Sequence, residues 1–214
     1  RPHTQFELLK QRRFLPFFLV QSLGAFNDNV YRQAIIGLLF WLGVNDEQKT
    51  LYTNLAPALF ILPYFLFSAT AGQIAEKLEK SRLIRITTTM EIAIMSTAAV
   101  GFLTQNMPLL LAALFGTGVQ SALFGPVKYS ILPQHLEKDE LLGGNGLVEM
   151  GTFVSVLLGT IFGTIAINRA GGKDVVAAVM VALALISYWT ATRIPDAPSA
   201  QPDLKLNWNI FGET

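Results

Sequence analysis

The chain has 214 residues, a formal net charge of +1, no cysteine, 51% hydrophobic residues and 14% charged ones. Soluble domains carry roughly 25% charged residues, so this composition excludes an ordinary soluble globule and describes an integral membrane protein. The near-neutral balance, with no basic run interleaved with aromatics, gives no basis for nucleic-acid binding, and the absence of cysteine excludes disulfides and thiolate metal sites.

Residues 1–13 form an amino-terminal segment ending in Lys10, Arg12 and Arg13. The apolar stretch behind it is far longer than the 7–15-residue core of a signal peptide, and no cleavage site follows. It reads as a first membrane span over 14–43. The chain opens at Arg1 rather than Met, which reads as a piece of a longer protein. Asn27, Asp28, Asn29 and Arg32 stand in the middle of this span, and the i, i+4 spacing of Asp28 and Arg32 puts both on one helix face, where they partly neutralise each other. A bilayer-spanning helix needs ~20 apolar residues, and an ionisable group buried in it costs several kcal/mol without a partner or water. Charges kept at that depth are expected to line a cavity or an ion path.

A polar turn over 44–50 leads to a second span, 51–74, in which Pro57 and Pro63 are kinks rather than breaks. The loop 75–82 is followed by the third span, 83–103, which buries Glu91, and a tight turn over 104–108. The fourth span, 109–132, holds Gln120 and Gly125-Pro126-Val127-Lys128-Tyr129; the Gly-Pro pair bends the helix and gives Lys128 a cavity-facing position. A charged loop over 133–140 precedes the fifth span, 141–167, which contains Glu149 and opens on Gly143-Gly144-Asn145-Gly146, read as a flexible turn. A glycine-containing turn, 168–174, leads to the sixth span, 175–194. Residues 195–214, with Pro195, Pro198 and Pro202, read as a linker. The fold class expected is all-α, with six transmembrane helices.

Six spans put both ends on one side. That side holds eleven Lys or Arg and the opposite loops hold three, so the positive-inside rule places both termini in the cytoplasm. Small residues recur every four positions at Ala113, Thr117, Ser121 and Gly125, and again at Gly151, Ser155, Gly159 and Gly163. Such rows let helix backbones approach closely, either as plain bundle packing or as a moving interface.

On this topology Asp28 and Arg32 lie near the midplane, and Glu91, Lys128 and Glu149 in the cytoplasmic halves of their helices. Glu91 and Glu149 are expected to latch helices together, in a cytoplasmic-side charge network with Glu76, Lys77 and Arg82. Arg32 is either a headgroup ligand or the counterion of Asp28. Enzyme signatures are weak: His135 and Asp139 are spaced His-x3-Asp, one short of an acyltransferase pair, and Glu140 stands where the aspartate is needed. His3 and His135 are too few and too far apart for a metal site, and no phosphate or dinucleotide fingerprint is present, so no cofactor is expected.

Gly72-Gln73-Ile74-Ala75-Glu76-Lys77-Leu78-Glu79-Lys80-Ser81-Arg82 resembles the loop signature of the major facilitator superfamily, with Glu76 for the usual Asp and Glu79 for the usual Gly. Gly24-Ala25-Phe26-Asn27-Asp28-Asn29 and Ala122-Leu123-Phe124-Gly125-Pro126-Val127-Lys128-Tyr129 resemble, more narrowly, the bacterial lysophospholipid transporter branch, including its fusions to acyltransferase and acyl-carrier-protein synthetase domains. The resemblance runs from about 14 to 194.

It implies the amino-terminal half of a twelve-helix fold in a bacterial inner membrane, whose partners are the missing carboxy-terminal half and, where present, the acyltransferase and synthetase. It implies import of lysophospholipid, mainly lysophosphatidylethanolamine, from the outer to the inner face. Asp28 and Lys128 match the residues implicated in substrate handling. On that basis Lys128 and Arg32 would take the phosphate, Asp28 with Asn27 and Asn29 the ammonium or glycerol hydroxyl, and Gln120 would complete the binding set. Two other readings stay open: a proton-coupled drug or metabolite carrier in which Asp28 titrates, and a non-transporting module that anchors and presents lipid to an acyltransferase.

Overall fold

Caps and prolines divide the chain into one 3-10 turn, Gln5–Lys10, and seven α-helices among the described residues. The structure, a computed structural model, describes residues 5–206. Residues 1–4 of the amino-terminal segment, with Arg1 and His3, and residues 207–214 of the linker lie outside the described residues.

Helix α1 (Leu15–Trp41) begins with Pro16, whose missing N–H would be unsatisfied there in any case. Helix α2 (Asp46–Lys77) is capped by Asn45, whose side chain accepts from Gln48 N at 2.8 Å, and carries Asp46 and Glu47 in its first turn. The expected polar turn 44–50 is therefore largely helical, because a good cap and two acids at the positive end of the helix dipole outweigh local polarity. Pro57 and Pro63 sit inside α2 without ending it. Helix α3 (Lys80–Thr104) is capped by Glu79, which accepts from Ser81 N at 2.9 Å and Arg82 N at 2.8 Å. Helix α4 (Met107–Ser130) is capped by Asn106, which accepts from Leu109 N at 3.0 Å. A single short helix, α5 (Leu132–His135), falls in the expected charged loop.

Helix α6 (Leu141–Ile167) takes Gly143-Gly144-Asn145-Gly146 into its own first turns. That corrects the flexible-turn expectation: Gly143 and Gly144 are small because Gln5 and Leu136 press against them. Helix α7 (Gly172–Ala191) follows Gly171 at φ +70°, a left-handed conformation that favours glycine.

The long helices pack α1 against α6 and α7, α2 against α4, and α3 against α4 and α7. A methyl group on Gly159 would stand 2.5 Å from the Phe26 carbonyl, and one on Gly163 would stand 2.7 Å from that of Val30. The α6 row is thus the α1–α6 seam. The α4 row is not one seam: Ala113 and Thr117 are buried, whereas Gly125 has open space beside it. The closest backbone contact of α4 falls instead at Gly118, against the Phe60 carbonyl of α2.

Two apolar cores form, one holding Tyr31, Leu38, Phe102, Leu110 and Met180, the other Phe14, Phe17, Leu83, Val127 and Leu147. Between them runs a belt of polar side chains at mid-depth, including Gln21, Asn27, Glu91, Gln120 and Ser187. Large apolar residues face outward, among them Phe65 on α2, Phe153 and Leu157 on α6, and Trp189 on α7.

Among the described residues five helical stretches are long and apolar enough to cross a membrane: α2, α3, α4 with α5, α6 and α7. Helix α1 has the length, 27 residues, but Gln21, Asn27, Asp28, Asn29 and Arg32 interrupt its apolar run, and it is not among the five.

The expected linker is not a free tail over its described part. Lys80 N donates to the Ala197 carbonyl at 2.8 Å, Ala197 N donates to Glu79 Oε1 at 2.8 Å, and Gln201 N donates to the Glu76 carbonyl at 3.0 Å. Proline favours an extended strap, and the N–H groups of Ala197 and Gln201 find acceptors at the Glu79 cap of α3 and in the last turn of α2.

Candidate functional site

The polar belt opens into a cavity of about 170 Å³ between α1, α2, α3, α4 and α6. Helix α1 supplies Gln21, Gly24 and Asp28, which recur at three- and four-residue spacing and so share one face. Helix α4 supplies Gln120, Ser121, Gly125 and Lys128, α2 supplies Tyr64, α3 supplies Thr88 and Glu91, and α6 supplies Thr152. A side chain at Gly24 or Gly125 would meet nothing within 4 Å, so these glycines help keep the space open.

The two charges expected to handle substrate lie on the same cavity. Asp28 accepts a long hydrogen bond, 3.4 Å, from Ser121 Oγ. Lys128 has its ammonium 3.1 Å from Glu149 Oε1 and donates to Thr152 Oγ1 at 3.2 Å. Thr152 in turn donates to Gln21 Oε1 at 2.9 Å, and Gln21 Nε2 donates to the Val148 carbonyl at 2.9 Å. A continuous polar chain therefore runs from Glu149 through Lys128 and Thr152 to Gln21 on α1. Tyr129 also donates to Glu149, at 3.0 Å. No ion pair joins Asp28 to Lys128 among the described residues, which leaves the cavity with an acidic and a basic wall.

The other expected ligands are elsewhere. Asn27 turns toward α3 and α7, where Nδ2 donates to Glu91 Oε1 at 3.1 Å and to the Met180 carbonyl at 3.0 Å. Asn29 lies at the α1–α6 seam, donating to the Ala25 carbonyl at 2.7 Å. Arg32 is neither the ion-pair partner of Asp28 nor a lining residue: it donates to Asn29 Oδ1 at 2.7 Å and lies 4.8 Å above the Phe60 ring of α2. Adjacent positions on a helix point about 100° apart, so a run of Asn-Asp-Asn cannot present all three side chains to one cavity.

The expected helix latches of Glu91 and Glu149 form, α3 to α1 and α6 to α4, but not as one network with Glu76, Lys77 and Arg82. Glu91, only 3% exposed, belongs to the cavity wall and to Asn27, while Glu149 belongs to Lys128. Glu76, Lys77 and Arg82 form no ion pair among the described residues; the pair in that loop is Arg85 with Glu79 at 3.5 Å. Glu91 lies eleven residues beyond Lys80, roughly 16 Å deeper at 1.5 Å per residue, out of reach of the loop. His135 and Asp139 form no catalytic pair: the His135 carbonyl accepts from Arg13 at 2.8 Å, and Arg13 pairs with Glu140 at 2.6 Å, joining the amino-terminal segment to the α5–α6 connection. Sequence reasoning missed Gln21, Tyr64 and Thr152 as lining residues. Gln21 carried a signal, a lone amide two helical turns before Asp28 in an otherwise apolar stretch.

Apolar helices packed around a polar mid-depth cavity define a multi-pass membrane protein, and the Major Facilitator Superfamily profile matches residues 17–211. The chain belongs to that family. Over 94% of its length it is 30% identical to the lysophospholipid transporter LplT of Salmonella heidelberg (strain SL476), covering 46% of that protein. Over 90% of its length it is 27% identical to LplT of Serratia proteamaculans (strain 568), again covering 46%. The chain thus spans about half the length of the curated relatives it matches.

Proposed function

We propose that this chain is the amino-terminal, six-span half of a lysophospholipid transporter that moves lysophosphatidylethanolamine-type lipids from the outer to the inner leaflet of a bacterial inner membrane by alternating access. The observation that carries this reading is the cavity with Asp28 on one wall and Lys128 on another. A zwitterionic headgroup offers an ammonium to the first and a phosphate to the second, and charges crossing a low-dielectric core need opposite charges along the path. The names of the relatives support the same substrate class.

In this reading α1 is the sixth span, its polar residues turned to the cavity and to its neighbours rather than to lipid, and the excess of Lys and Arg on the side of both ends supports cytoplasmic termini. The outward apolar faces of α2 and α6 meet the carboxy-terminal half, and the headgroup crosses as the two halves rock about the cavity. Lys128 exchanges Glu149 for the phosphate as substrate enters. The activity is transport, and any re-acylation of the imported lipid belongs to acyltransferase and synthetase domains beyond this chain.

The test is uptake of labelled lysophosphatidylethanolamine into proteoliposomes carrying the full-length protein, with Asp28→Asn and Lys128→Ala beside it, with and without a proton gradient. Loss of uptake in both variants, independent of the gradient, is the expected result. A second reading, a proton-coupled carrier, is favoured by Glu91 and Asp28 lining one cavity without an ion-pair partner. It requires uptake to collapse with the gradient.

A further inference from the structure

A second cluster of charge lies outside the central cavity, where the amino-terminal segment meets the end of α7. Lys10, Arg12 and Arg193 line a cavity of about 440 Å³ whose floor is Leu15 and Pro16. It shares no residue with the central cavity. All three cations are exposed, and none makes an ion pair among the described residues. Glu7 and Asp196, the nearest acids in sequence, do not line it.

The contrast with Arg13 is informative. Arg13 is spent on structure, through the His135 carbonyl and Glu140, whereas Arg12, one residue earlier, lines the cavity and makes no ion pair among the described residues. Arg193 stacks 3.4 Å over the ring of Trp189, which is 57% exposed on the outer face of α7. Exposed tryptophan at a helix end marks the membrane–water interface. The apolar outer surface of α7 continues from there through Leu185 and Ile186.

We propose that this cavity binds the headgroup of an anionic diacyl phospholipid of the surrounding leaflet, as a site separate from the transported substrate. The phosphate lies among Lys10, Arg12 and Arg193, and the acyl chains run along the exposed apolar face of α7. Charge selects this occupant: three unpaired cations at headgroup depth repel one another until an anion arrives, and a zwitterionic lipid brings an ammonium that they oppose. The proposal depends on the membrane placement of α7, not on the identity of the cargo, so failure of the transport reading would leave it standing.

The experiment uses the full-length protein with Trp41→Phe and Trp208→Phe, so that within this chain Trp189 is the reporter, and with any tryptophan beyond Thr214 likewise replaced by Phe. It is reconstituted in phosphatidylcholine bilayers with increasing fractions of dibrominated phosphatidylglycerol or dibrominated phosphatidylcholine, and contact with brominated lipid is read as quenching of Trp189. At roughly 1 kcal/mol per basic residue, three cations make the expected preference for phosphatidylglycerol on the order of 100-fold in relative binding constant. Lys10→Ala with Arg12→Ala, which leaves the Arg193–Trp189 stack intact, is expected to cut the preference to the roughly five-fold that one remaining cation supplies. Lys138→Ala with Lys205→Ala removes the same charge from exposed positions outside this cavity and is expected to keep the preference. Equal quenching by both lipids in the reporter protein overturns the site without recourse to any binding-site variant. Equal loss of preference in the two double variants also overturns it, because a diffuse surface charge and not a site would then be responsible.

Discussion

Lys128 reaches the cavity with its ammonium already shared between Glu149 and Thr152. In the proposed reading a phosphate displaces a carboxylate that is itself 42% exposed, which puts the pair at the weak end of ion-pair energies, ~0.2–1 kcal/mol. Glu149→Gln removes the competitor while Lys128 keeps Thr152. The expected outcome is a KM for lysolipid lower by roughly two- to five-fold, with a lower kcat because release now lacks the returning carboxylate. An unchanged KM in the uptake assay would separate Lys128 from the phosphate. Asn27 makes a different prediction. It is fully buried and donates to both Glu91 and the Met180 carbonyl, so Asn27→Leu takes the hydrogen bond from the buried Glu91 carboxyl, while the Met180 carbonyl keeps its bond within α7. A loss of about 1–3 kcal/mol is expected, read as a lower Tm in detergent. Asp28 and Lys128 were legible in sequence because a charge inside an apolar run announces itself. Which neighbour of Asp28 shares its cavity was not, since that depends on the rotation of α1 against α3, α6 and α7.

At the scale of elements, the two rows of small residues read alike in sequence and differ in the fold. The α6 row presses on α1 at Gly159 and Gly163, whereas the α4 row is split between packing and cavity. Gly159→Val is expected to wedge α1 from α6, because the added carbons collide with the Phe26 carbonyl, which is backbone and moves only with its helix. The cost expected for such overpacking is about 1–3 kcal/mol, visible as a lower Tm and a broadened elution profile. Gly24→Val places its Cβ on the cavity wall where nothing lies within 4 Å. It is expected to keep the Tm within about 2 °C of the parent, since it makes no clash and costs only a few tenths of a kcal/mol, while filling the cavity and abolishing uptake. If both variants melted early, the cavity would not be open at Gly24. The six long helices were legible from the length of the apolar runs, whereas the short α5 and the helical start at Asp46 were not, the latter hidden behind polar residues that proved to be cap and first turn.

At the scale of the whole molecule, Glu79 joins parts that are distant in sequence. It caps α3, pairs with Arg85 and accepts the Ala197 N–H of the strap that follows α7. Composition showed that strap only as a proline-rich stretch, because its partner is 118 residues away and no local pattern encodes such a pairing. Burial pushes the Glu79 carboxyl up, but hydrogen bonds from Ser81, Ala197 and Arg82 outweigh it and hold the group below its ordinary value of 4.5. The sign follows directly. A depressed carboxyl contributes stability that is present above 4.5 and is lost as pH falls through its lower folded value. The strap is therefore expected to stay protected at neutral pH and to release on acidification below 4.5, read as hydrogen exchange at the Ala197 amide that is faster relative to its intrinsic rate at the same pH. Glu79→Gln has one acceptor oxygen for three N–H donors and no charge for Arg85. It is expected to show the faster exchange already at neutral pH and to lose the acid dependence. A variant that retained the parental pH profile would place the titrating group elsewhere and reduce Glu79 to a helix cap.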